Sequence, residues 1–364
     1  MVGLAEVRKH LAEWKPSMVE EYGALVTESE AVEPIDHSRM EALRRHAAEV
    51  GKDFDLVPAK AIFSRKAGTG RHKCRGVACG NFMQAKSTES TFASGASGIE
   101  VRMLMKVAAV HGWDLSTIDV KTAFLNAPVD ESAERGIVIV EPPRIFKEAE
   151  VLQHPAEYWL VKKALYGLVT SPKDWCVHRD QKIKDFKWEI KKTQYKVEKT
   201  AQDDVWAIKS MAEGEERWHL AGLCATYVDD IIIAGEKEVI KEFHQRIQEN
   251  WKIGEPEWVE EGREPVRFLG MEVEKRGNDY VIHQRAYLEN LFLEYEEQGR
   301  SSLGNIKTPE EEDPPLAVDV TRAQKETGEL LWVAGRTRPD ICLAVSLMCQ
   351  WATKRPRGVI AIGL

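Results

Sequence analysis

Apolar residues recur at helical spacing in four stretches of the chain. Ser97-Gly98-Ile99-Glu100 has the form of a capping box, and the helix it opens carries Val101, Leu104, Met105 and Ala108 on one face and stops near Gly112. Ser171-Pro172-Lys173-Asp174 is a second start signal, with Ser171 as N-cap, Pro172 at the first helical position and an acid at the third. That helix places Trp175, Arg179, Lys182 and Phe186 at helical spacing. Val239, Ile240, Phe243, Ile247 and Trp251 share one face of a third helix, and Tyr287, Leu288, Leu291, Phe292 and Tyr295 share one face of a fourth. The first 50 residues predict short charged helices, one of them across residues 14–25.

Strand patterns lie between these helices. The apolar runs at 220–228 and 231–234 are separated only by Asp229-Asp230, which predicts a tight β-hairpin with the two aspartates as its connection. Further strands are expected at 137–140, 158–161, 266–274 and 280–283, and a linker at 307–315. Strands and helices mix without strict alternation, which points to an α+β fold.

Composition sets limits. With 364 residues, 43% of them hydrophobic, the chain can bury a core and is long enough for more than one compact unit. No apolar stretch approaches the ~18–20 residues of a membrane span, and the charged N-terminus does not resemble a signal peptide. The net charge of −8 argues at first against a nucleic-acid partner. Its distribution reverses that reading. Residues 58–110 hold 9 basic and 2 acidic side chains and residues 162–199 hold 11 and 5, whereas residues 236–315 hold 11 and 20. The alternative is that these basic tracts are solvated helix faces. The six cysteines form no CxxC pair, so free thiols are expected.

Two adjacent carboxylates between apolar strands suggest chemistry. An acidic solvated turn is the plain alternative; a divalent cation that relieves the like-charge repulsion and leaves positions open for phosphates is the other. A polymerising site needs two such ions and a third carboxylate from a neighbouring strand. Asp119, in Ile118-Asp119-Val120-Lys121-Thr122-Ala123-Phe124-Leu125-Asn126, is the candidate. This block is followed in order by Leu165-Tyr166-Gly167-Leu168 with Ser171-Pro172, Tyr227-Val228-Asp229-Asp230, Phe268-Leu269-Gly270-Met271-Glu272-Val273 and Thr337-Arg338-Pro339-Asp340-Ile341. The five blocks together resemble the reverse transcriptases of copia-type LTR retrotransposons.

The resemblance implies a right-hand polymerase of fingers, palm and thumb, with an antiparallel palm sheet packed on helices. It implies RNA-directed DNA synthesis, in which dNTPs are added to a primer 3′ end with two Mg²⁺ ions, Mn²⁺ being an alternative. Asp119, Asp229 and Asp230 would be both the catalytic and the metal-binding residues. Lys73 and Arg75 would meet the nucleotide's β and γ phosphates, Thr122 and Ala123 would lie beneath the triphosphate, and Phe124 would reject a 2′-OH unless it merely packs in the core. Gly167, also counted with the nucleotide site, would contact the template nucleotide and the base of the dNTP together with the Ser171-Pro172 turn. Tyr227 and the Phe268-Leu269-Gly270 hairpin would contact template and primer. The basic segment Lys173, Arg179, Lys182, Lys184 and Lys187 would track backbone phosphates.

The expected domains are an N-terminal helical extension (1–56), fingers (57–112) and palm (113–235, with a fingers insertion at about 130–165). The end of the palm, the primer-grip hairpin and thumb-like helices would fill 236–315, and the start of a connection region 316–364, with RNase H absent. Partners would be an RNA or DNA template with primer, dNTPs and other Pol domains such as integrase and RNase H, without a membrane. Location would be intracellular, in cytoplasmic virus-like particles, with the nucleus as a further compartment. The rival reading is a decayed or domesticated retrotransposon fragment that binds nucleic acid without polymerising.

Overall fold

The run Ile231-Ile232-Ile233-Ala234 forms a strand buried on both faces, and the molecule is organised around it. The structure is a computed structural model and describes residues 1–65, 69–83, 93–129, 136–154, 157–295 and 307–363. The strands are β1 (Val32–Ile35), β2 (Phe54–Arg65), β3 (His72–Ala78), β4 (Asp114–Asp119) and β5 (Ile137–Glu141). Next come β6 (Tyr158–Val161), β7 (Lys187–Ile190), β8 (Thr193–Lys199), β9 (Val205–Ala212) and β10 (His219–Tyr227). Last are β11 (Asp230–Gly235), β12 (Glu257–Trp258), β13 (Val266–Phe268), β14 (Met271–Arg276) and β15 (Asp279–His283). The helices are α1 (Leu4–Lys9), α2 (Leu11–Gly23), α3 (His37–Glu49), α4 (Gly98–His111), α5 (Arg144–Glu148) and α6 (Ser171–Lys184). They continue with α7 (Lys237–Asn250), α8 (Arg285–Tyr295), α9 (Ala317–Ala334), α10 (Cys342–Trp351) and α11 (Pro356–Gly363).

A seven-stranded antiparallel sheet has the order β12-β4-β11-β10-β9-β8-β7. Side chains alternate across it, so β11 feeds two cores. Ile231 and Ile233 pack with Trp175 of α6 and with Val239, Ile240, Phe243 and Ile247 of α7. Ile232 and Ala234 face the other way, into a core with Val101, Leu104 and Met105 of α4 and with Phe268, Met271 and Val273. The capping box at Ser97 and Glu100 forms, and Gly112 ends α4 in the left-handed conformation. An α+β fold with an antiparallel sheet packed on helices is therefore observed.

A second sheet, of order β1-β6-β5-β2-β3, includes β2 and β3 from the first basic tract. Trp14 and Met18 of α2 pack beneath it with Val57, Phe63 and Trp159. The N-terminal segment is thus not purely helical: β1 pairs with β6, which the charged sequence did not signal.

Two further expectations are corrected. Residues 266–274 are two strands rather than one, because Leu269 and Gly270 both take positive φ and close a β13–β14 hairpin. Ser171 is the first residue of α6 and Thr170 the cap, since the Ser171 hydroxyl is bonded to the backbone of Leu165. Helix α8 forms as predicted yet buries none of its residues. Residues 307–315 hold neither helix nor strand, as expected of a linker. Helices α9, α10 and α11 make a small bundle around Ala323, Met348, Trp351 and Val359. Among the described residues no helix is long and apolar enough to cross a membrane.

Candidate active site

Antiparallel pairing of β4 with β11 puts Asp119 directly opposite Asp230, so both side chains leave the same face at the same end of the sheet. The β10–β11 hairpin supplies Asp229. Its turn differs from the expected one: Tyr227 pairs with Asp230, so the two connecting residues are Val228 and Asp229, and Asp230 belongs to the strand. Val228 has φ +54° while Asp229 does not take positive φ, the pattern of a II′ turn, in which glycine is the usual first residue. A carboxylate oxygen from each of Asp119, Asp229 and Asp230 lies within 4.8 Å of those of the other two.

The main chain holds this cluster in place. Val120 N–H donates to Asp229 O at 2.9 Å and Gly254 N–H to Asp119 O at 2.8 Å. Burial pushes the Asp230 carboxyl up to about 6, with the charges of Asp229, Asp119 and Glu257 adding to the shift. The Asp119 carboxyl is raised too, by burial and then by Asp229, against the opposing pull of Lys121 and Lys73. Three hard oxygen donors that repel one another are the donor set a divalent cation such as Mg²⁺ takes.

Lys73 and Arg75 alternate with buried Cys74 on β3 and point together into solvent, Lys73 near enough to act on Asp119. The Arg75 guanidinium lies 4.5 Å from the centre of the Tyr166 ring, and Tyr166 meets Phe124 edge-on at 5.5 Å. Phe124 is half-buried against the core that holds Trp175. Thr122, at φ +51°, opens the short 3₁₀ turn Ala123–Asn126, and the Asn126 side-chain amide caps the carbonyls of Lys121, Thr122 and Ala123. Ala123 itself is buried.

Over residues 47–302 the sequence matches the family described as reverse transcriptase (RNA-dependent DNA polymerase). The chain belongs to the reverse transcriptase family. A transposon Ty5-1 protein of Saccharomyces cerevisiae is 25% identical over 248 residues, covering 66% of this chain and 71% of that one. The retrovirus-related Pol polyprotein from transposon RE1 of Arabidopsis thaliana is 24% identical over 329 residues, 84% of this chain and 20% of the polyprotein. The corresponding polyprotein from transposon TNT 1-94 of Nicotiana tabacum is 23% identical over 296 residues, again 20% of its length. These relatives bear out the copia-type resemblance of the motifs. A foamy viral protease–reverse transcriptase solved in complex with double-stranded DNA aligns with a TM-score of 0.45 and 12% identity, covering 96% of this chain and 47% of that one.

The remaining motif residues of this reverse transcriptase chain fall in different environments. Tyr227 is 41% exposed and its ring covers Gly95, where any side chain would collide with it. Gly167 has φ +89°, and a Cβ there would stand 2.0 Å from Ala78 O, so this glycine welds the Leu165-Tyr166-Gly167-Leu168 loop to the end of β3. Pro172 is half-buried. Ser171 is 1% exposed with its hydroxyl spent on Leu165, so it shapes that loop and cannot itself reach a template. Phe268 is buried in the core, while Gly270 presses on the Trp332 ring and Leu269 O accepts from Arg336 Nε at 3.0 Å.

Arg179 is a clear correction. Expected among the phosphate-tracking cations, it is fully buried and paired with Asp180 and Asp204. Two residues gain a role only in the fold: Tyr166, under the Arg75 guanidinium, and Asp204, the buried partner of Arg179. In the sequence Asp204 is marked only by its position directly before the apolar strand β9.

Proposed function

We propose that this chain is an RNA-directed DNA polymerase that adds dNTPs to a primer 3′ end by two-metal phosphoryl transfer. The convergence of Asp119, Asp229 and Asp230 within 4.8 Å carries the reading, since residues about 110 apart in sequence have no folding reason to gather like charges at one point. These carboxylates would hold two Mg²⁺ ions, with Mn²⁺ as a substitute. When bound, the ions would activate the primer 3′-oxygen and neutralise charge on the leaving pyrophosphate.

Lys73 and Arg75 would take the β and γ phosphates, Arg75 being oriented by its stacking on Tyr166. The backbone at Thr122 and Ala123 would support the triphosphate, and the Phe124 ring would stand where a ribose 2′-OH must pass. In this reading the seven-stranded sheet is the palm and the five-stranded sheet the fingers. β5 and β6 come from the insertion at about 130–165, and the N-terminal residues share the fingers core, so that the fingers begin well before residue 57. The β13–β14 hairpin would grip the primer, steadied by Trp332 and Arg336, and Gly167 with Pro172 would line the template side. Partners would be primed RNA or DNA template, dNTPs and other Pol domains, at an intracellular site.

A primer-extension assay on an RNA template tests the proposal. Mg²⁺-dependent extension is expected. Template binding without extension would favour the decayed, non-polymerising reading.

A further inference from the structure

We infer that Arg179 and Asp204, a buried ion pair behind the β10–β11 turn, position the Asp229 carboxylate by locking the peptide between Val228 and Asp229. The inference rests on the polymerase reading above and goes beyond it to residues that touch neither substrate nor metal.

The Val228 carbonyl belongs to the peptide plane that leads into Asp229. It accepts the Trp175 indole N–H at 2.6 Å and Arg179 Nη1–H at 3.4 Å, both from α6. The next carbonyl, that of Asp229, accepts Val120 N–H at 2.9 Å. Both peptide planes flanking the Asp229 Cα are thus pinned, one from α6 and one from Val120, the residue after Asp119. Val228 is a β-branched residue in the left-handed region, a conformation that persists only where its surroundings over-determine it. The bonds from Trp175 and Arg179 are what hold it there.

Arg179 is itself immobilised. Its side chain is 0% exposed and that of Asp204 is 1% exposed. Arg179 Nη2 donates to Asp204 Oδ1 and, at 2.8 Å, to Asp180 Oδ1, and Nε donates to Asp180 Oδ1 at 3.1 Å. Asp204 Oδ1 also accepts the Thr226 hydroxyl at 3.2 Å, and its backbone carbonyl accepts Thr226 N–H at 2.9 Å. Thr226 is two residues before Val228 on β10, so the pair grips the hairpin from both the strand and the turn. A buried pair of this kind is a poor source of stability compared with apolar packing, and its best-attested use is to fix one arrangement among several.

The test uses the full chain on a primed RNA template. Trp175→Phe removes one donor to Val228 O and keeps the aromatic bulk. The double variant Arg179→Met with Asp204→Leu replaces the pair by apolar side chains while Asp180 keeps Lys199 Nζ at 2.9 Å, and thermal unfolding and circular dichroism check that it folds. Expected for both is a fall in kcat for single-nucleotide addition, at least tenfold in the double variant, with the dNTP KM and primer–template Kd within about twofold of wild type. Mn²⁺ titration followed by electron paramagnetic resonance gives a second readout, in which the double variant should bind Mn²⁺ several-fold more weakly. A folded double variant with kcat and Mn²⁺ affinity within twofold of wild type would overturn the inference and leave the polymerase reading standing. A wild-type chain that neither extends primers nor binds Mn²⁺ would sink the polymerase reading, and the inference with it.

Discussion

At Asp229 a single side chain carries both a repulsion and a proposed function. Asp229→Asn removes one proposed ligand and one of three crowded charges. Primer extension should fall by on the order of 10³-fold, while the thermal midpoint should hold steady or rise. Retained extension would take the hairpin out of the mechanism. Phe124→Ala tests the sugar gate: the preference for dNTP over rNTP should drop about tenfold or more, and unchanged discrimination would leave Phe124 with packing on Tyr166 as its whole role. Asp229 and Asp230 were legible in the sequence because apolar runs flank them, and Asp119 because it stands in the first of the five motif blocks. The turn was not, since a valine at φ +54° has no local signal and Val228 simply extended the apolar run. Arg179 misled for a similar reason. A cation on a polar helix looks solvated until the partner that buries it, 25 residues away, is placed beside it.

Helix α7 carries the predicted apolar face at Val239, Ile240, Phe243 and Ile247, with Trp251 just past its end as the cap, yet that pattern said nothing about His244, which is 6% exposed. Burial lowers the His244 imidazole to about 4, and its Nε2 has no hydrogen-bond partner among the described residues. Between pH 4 and about 6.5 the unfolded chain binds a proton that the folded chain refuses. The associated stability is therefore complete above about 6.5 and lost as the pH falls to 4. Denaturant unfolding at pH 7 and pH 4 should show an acid loss that is smaller in His244→Leu by about 1–3 kcal/mol. The loop holding Gly167 makes a second case at this scale. Gly167→Ala meets both a positive φ and the Ala78 carbonyl, so it should lower stability by about 2–4 kcal/mol in thermal unfolding. An unchanged midpoint would show that β3 and the loop are not in the contact described.

Over the whole molecule, charge is segregated rather than balanced. Lys182 and Lys184 stand exposed on α6, whereas Arg179 is taken inside. Primer–template affinity should fall steeply with salt, and Lys182→Ala with Lys184→Ala should reduce the slope of log K against log salt by about 1–2. An unaltered slope would place the backbone elsewhere. The sequence by itself determined the α+β composition, the order of the five motifs, the family and the existence of an acidic hairpin, because propensity, periodicity and motif order are properties of neighbouring residues. Only the tertiary structure decided which carboxylates meet, which aspartate lies in the turn and which arginine is structural. Strand register sets Asp119 against Asp230 across a long interval of chain, and burial is a property of what the rest of the molecule packs over a residue.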